Sequence, residues 1–102
     1  MRDWNTYSSP EMIGILGERF KEYRMRMEKT QEEIANETGI SISTIRRFEA
    51  GGASNISMSS FLTLLRAIGR TQQLEQLMPE LPPSPYLVRE NKVRQRIRHK
   101  QS

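Results

Sequence analysis

Between Thr30 and Ala50 the sequence spells a helix start, a helix stop and a second helix, with only Gly39-Ile40-Ser41 between the two helices. Thr30-Gln31-Glu32-Glu33 is a capping box: the Thr hydroxyl serves the Glu33 amide, and the Glu33 carboxylate reaches back. Gly39 tolerates the left-handed conformation that closes a helix. Ile42–Ala50 reads as the next helix, ended by Gly51-Gly52. Two helices joined so tightly must cross closely, so one position in the first has to be small, and Ala35 supplies it. Apolar residues must face the shared core from both helices, as Ile34, Ile40, Ile45 and Phe48 do.

The rest of the chain leans the same way. Valine occurs only twice, and no stretch alternates apolar and polar residues long enough for a sheet. A first helix is predicted from Ser9-Pro10, with Ser as cap and Pro at the first helical position, to about Met27. Its expected buried stripe is Leu16, Phe20, Tyr23 and Met27, extended by Met12 and Ile13. After a polar loop at Ala53–Ile56, a fourth helix spans roughly Ser57–Ile68, with Phe61, Leu62, Leu64, Leu65 and Ile68 apolar. Gly69 closes it, and a brief fifth helix covers about Thr71–Met78. Pro79, Pro82, Pro83 and Pro85 then forbid helix and favour an extended path. These boundaries give a folded domain at 10–78, a Pro-rich arm at 79–88 and a basic, disordered tail at 89–102. Leu81, Tyr86, Leu87 and Val88 can dock the arm on the core or on a partner.

Several function classes are excluded. No cysteine is present, so there is no disulfide framework and no thiolate metal site. His99 is the single histidine, which nearly removes nucleophilic triads and histidine-rich zinc sites. No acid/base cluster, metal set or phosphate-binding glycine loop is visible, so the chain is expected not to be an enzyme and to need no cofactor. Met12, Met25, Met27, Met58 and Met78 are read as core or interface filler. No apolar run is long enough for a bilayer, and Met1–Pro10 has no apolar segment of the signal-peptide kind. A soluble cytoplasmic protein without a membrane partner is expected. The net charge of +4 is unevenly spread. Arg89, Lys92, Arg94, Arg96, Arg98 and Lys100, against Glu90, give the tail +5 and leave −1 for residues 1–88. The folded part therefore has to be read by motif rather than by charge.

The third helix divides cleanly at about 100° per residue. Thr44, Ile45, Phe48 and Glu49 fall toward the core, Ser43, Arg46, Arg47 and Ala50 fall opposite, and Ile42 lies at the border. A face that is small at its start and basic further on suits a helix whose first residues approach base edges while longer cations reach bases or phosphates.

Gln31–Ala50, with Ala fifth, Gly ninth, and Ile45 and Phe48 fifteenth and eighteenth, resembles the helix-turn-helix of the Xre and lambdoid phage repressor family. The likeness runs from about Ile15 to Leu77 and includes Leu16-Gly17 and Arg24. It implies an all-α, five-helix, lambda-repressor-like DNA-binding domain. It also implies that Ser41, Ile42, Ser43 and Arg47 read bases, with Arg47 suited to a bidentate guanine contact. Ile42 departs from the polar residue usual there; it can meet a thymine methyl or finish the core edge. Gln31 stands where the family clamps a phosphate, Arg46 adds a further cation, and Ser54, Asn55 and Ser57 ahead of the fourth helix are candidates for another phosphate. Arg24 is the residue that pairs with Glu49 in the resembling repressors, which gives a core-facing carboxylate its counter-charge. Lys29 is a departure, since an apolar residue is common just before the Thr-Gln of the second helix.

The function implied is a sequence-specific transcriptional regulator acting as a repressor, a homodimer on a palindromic double-stranded operator. Surplus apolar residues on the fourth and fifth helices and in Leu81–Val88 either supply the dimer surface or complete the core. The alternative is a HipB-like antitoxin that binds its own operator and neutralises a toxin protein, with the arm and tail as the protein-binding part. The tail either lies along DNA phosphates, captures that partner, or is simply solvated.

Overall fold

In the computed structural model the described residues are 2–53 and 55–83, and they fold entirely as helices and connecting turns. The helices are α1 (Ser9–Arg26), α2 (Gln31–Thr38), α3 (Ile42–Glu49), α4 (Met58–Ala67) and α5 (Gln73–Leu77). The all-α, five-helix architecture expected from the punctuation is the one found.

The boundaries differ from expectation where side-chain chemistry decides them. Ser8, not Ser9, caps α1. Glu11 lies three residues after Ser8 and completes a capping box, its Oε1 accepting from the Ser8 amide at 2.8 Å while Ser8 Oγ accepts from the Glu11 amide at 3.3 Å. The same exchange opens α2, where Thr30 and Glu33 bond each other at 2.9 and 3.0 Å. Both carboxyls are held below their ordinary value, chiefly by the backbone amide each accepts from. α5 is shorter than predicted because Gln72 gives it no side-chain cap. Gln73 and Leu74 bond back only three residues, to Arg70 and Thr71, so its entry is wound too tightly to be α. A 3-10 turn at Trp4–Thr6, capped by Asp3, precedes α1 in a stretch to which the sequence pattern assigns no helix.

The buried line of α1 also departs from the predicted stripe. Gly17, Phe20 and Arg24 face inward, while Tyr23 and Met27 are 39% and 41% exposed. Arg24 is the cause. Turning it toward α3 rotates the helix and carries Tyr23 and Met27 to the surface, leaving Leu16 and Ile13 packed at the margin. Phe20, Ile34, Ile45, Phe48, Ala53, Leu64 and Ile68 form the core, with Ala35, Ile40, Phe61 and Leu65 packed around it. Phe48 anchors it, its ring centroid 5.7 Å from Phe20 and 6.2 Å from Phe61. α1 and α3 touch most closely at Gly17, where a Cβ would lie 1.8 Å from the Phe48 carbonyl oxygen. Only glycine fits there.

Candidate nucleic-acid interface

α3 is seated on the rest of the domain at both ends and along one face. Gly39 sits at φ 75° and ends α2, so the chain can turn at once into α3. Thr38 braces the corner: its Oγ1 donates to the Ile34 carbonyl at 2.7 Å and accepts from the Ile40 amide at 3.2 Å. Ser41 caps α3, accepting from the Thr44 amide at 3.2 Å. Its hydroxyl also lies 2.8 Å from Thr44 Oγ1 and 3.3 Å from Ser43 Oγ. Ile45, Phe48 and Glu49 are buried, whereas Ser43, Arg46, Arg47 and Ala50 are exposed and Ile42 is half-buried. The cationic side of α3 therefore faces solvent as an exposed ridge.

The far end of α3 is fixed by charge. Arg24 grips the Glu49 carboxylate in a fork, with Nε donating to Oε2 at 2.7 Å and an Nη to Oε1 at 2.8 Å. Its other Nη donates to the Lys29 carbonyl at 2.7 Å, tying the α1–α2 connection to the same pair. Its hydrogen bonds to Glu49 raise the guanidinium above its ordinary pKa despite the desolvation opposing it, so burial does not cost Arg24 its charge. Both residues are buried, at 8% and 5% exposure, and no buried side-chain polar atom among the described residues lacks a partner.

Gln31 is where the structure adds a role. Its Nε2 donates to Glu49 Oε1 at 2.9 Å, so the side chain expected to meet a phosphate also completes the buried carboxylate's hydrogen bonds. The signal was available in the sequence: a core-facing Glu49 with one cationic partner needs a further donor, and an amide at the start of α2 is placed to give it. Lys29, which stands where the resembling repressors commonly carry an apolar residue, sends its Nζ to Glu37 at 2.7 Å and stays at the surface of that corner.

Ser57 lies at the entry to α4 as its cap, accepting from the Ser60 amide at 3.0 Å, and Asn55 is exposed in the preceding turn. Ser54 lies outside the described residues, as do Tyr86, Leu87, Val88 and the tail cations Arg89, Lys92, Arg94, Arg96, Arg98 and Lys100. Among the described residues no acid or histidine cluster could hold a metal ion, and no helix is long and apolar enough to cross a membrane. The surface around α3 thus offers hydroxyls, guanidiniums and helix N-termini, the groups that contact the grooves and phosphates of a duplex.

No curated protein and no solved structure matches the chain significantly. A family model described as "Helix-turn-helix domain" matches residues 15–78, a span that holds the Gly17 contact, the Arg24–Glu49 fork, the Gly39 corner and α2 through α5. With well over half of its residues inside that match, the chain belongs to the helix-turn-helix domain family, a DNA-binding fold.

Proposed function

We infer that the chain is a sequence-specific transcriptional repressor that reads the major groove with α3 as a homodimer on a palindromic operator. One observation carries this reading: α3 buries Ile45, Phe48 and Glu49 while presenting Ser43, Arg46 and Arg47 to solvent. In this account Arg47 reads a guanine, Ser43 and the half-buried Ile42 approach neighbouring base edges, and Ser41 divides its hydroxyl between capping and contact. Arg46, the α2 N-terminus at Gln31 and the Asn55–Ser57 turn fix the register through phosphates. The tail from Arg89 adds sequence-independent attraction to the same backbone.

One recognition helix covers only a few base pairs, so a second copy is the economical source of specificity. Leu77, Met78 and Leu81 are 71–80% exposed in a continuous segment and give that copy an apolar surface. The same exposed segment supports the antitoxin reading, in which a toxin protein takes the second copy's place.

Selection of bound duplexes from a random pool tests the reading. The expected product is an inverted repeat with half-site centres about 34 Å apart, one helical turn. Recovery of unrelated sequences would overturn it.

A further inference from the structure

α1 carries a second organised surface, on the side turned away from α3. At 100° per residue, Arg19, Glu22, Tyr23 and Arg26 cluster roughly 140° from the buried line of Gly17, Phe20 and Arg24. They line a shallow recess of about 300 Å³. The guanidinium of Arg19 lies over the ring of Trp4 at 5.2 Å, and that of Arg70, from the turn after α4, lies over the ring of Tyr23 at 4.9 Å. Among the described residues neither arginine has a carboxylate within ion-pair distance, and the same holds for Arg26. Stacking on an aromatic face orders a guanidinium while leaving its N–H edge free for a planar acceptor.

We propose that this face is a docking surface for an acidic segment of another protein, bound by bidentate contacts from Arg19 and Arg70. Charge complementarity names the occupant: the cations outnumber the acid here, although residues 1–88 as a whole carry a slight negative charge. Glu22 lines the same recess as Arg19 and Arg26 and opposes a continuous run of phosphates, whereas a peptide can set its carboxylates away from it. The exposed Tyr23 and Met27 add apolar contact of the kind that fills protein interfaces. Trp, Tyr and Arg are also the residues that dominate interface energetics. Because the surface points away from α3, the segment can be held while α3 occupies DNA. The binding itself does not depend on the DNA reading, and its test uses no duplex.

The isotope-labelled 102-residue chain is titrated with a synthetic peptide of about a dozen residues, Asp and Glu interleaved with Leu and Phe. The expected result is backbone shifts on Arg19, Glu22, Tyr23, Arg26 and Arg70. Arg19→Gln and Arg70→Gln should each weaken the peptide about fivefold or more, and Arg70→Lys, which keeps the charge but loses the planar fork, should weaken it nearly as much. Shifts confined to residues 89–102 or to α3, or full retention of binding by Arg70→Lys, would overturn the proposal. Equal affinity of oligothymidylate for the same residues would also overturn it, in favour of single-stranded nucleic acid.

Discussion

Glu49→Gln should destabilise the protein by about 3–5 kcal/mol, enough to remove much of the stability of a domain this size. The carboxylate accepts from two guanidinium nitrogens and from Gln31, all at 2.7–2.9 Å. With a neutral amide in its place, the Arg24 charge stays buried without compensation, and one amide hydrogen-bonding edge now opposes a donor. Three elements loosen together, because Arg24 on α1, Gln31 on α2 and the end of α3 meet at this one group. The fall should be read as a drop of well over 10 °C in the thermal midpoint, at about 4–8 °C per kcal/mol. Replacing both Arg24 and Glu49 with methionine should recover a large part of the loss, since no lone charge then remains in the core. If Glu49→Gln left the midpoint unchanged, the pair would contribute nothing to holding α3.

Gly17→Ala should be the next most damaging change, and Gly14→Ala, three residues earlier, should have the opposite sign. Both remove a helix-interior glycine, which by propensity alone favours the variant by up to about 1 kcal/mol. At Gly14 a Cβ would meet its nearest atoms, in Gly51, at 3.8 Å, an ordinary contact, so the propensity gain survives. At Gly17 the Cβ would stand 1.8 Å from the Phe48 carbonyl oxygen and 2.7 Å from its carbon. Those are backbone atoms of α3, so no rotamer change relieves the overlap and the helices must separate. Overpacking of this kind costs about 1–3 kcal/mol and sometimes more, so the clash outweighs the propensity. Paired thermal melts check this, with the midpoint of Gly14→Ala raised and that of Gly17→Ala lowered.

These two sites show how far the sequence could be read. The Thr30 capping box, the Gly39 corner and the inward Ile45 and Phe48 were legible because each is a local rule with its partner a few residues away. The same holds for the two faces of α3, which follow from helical period alone. The rotation of α1 was not legible. Tyr23 and Met27 are apolar and correctly spaced, yet a charged Arg24 displaced them, because the position of Glu49 on another helix outweighed hydrophobicity on this one. Gly17 entered only through resemblance; its reason is a backbone approach between elements, which has no one-dimensional signature. The phosphate role of Gln31 is what the repressor resemblance implies for the start of α2, whereas its bond to Glu49 spans two helices and has no local signal.

The most direct measurement of the central claim is competition binding by Arg47→Ala on the selected duplex, on each single-base variant of it, and on random DNA. Arg47 is exposed, and among the described residues it makes no side-chain ion pair, so the variant should keep its fold and report on contact alone. If α3 reads bases, affinity for the best site falls by about 1–3 kcal/mol, and the preference vanishes at one base position while the others persist. An equal loss on selected and random duplexes would contradict the account, leaving Arg47 a phosphate contact and α3 without its reading role.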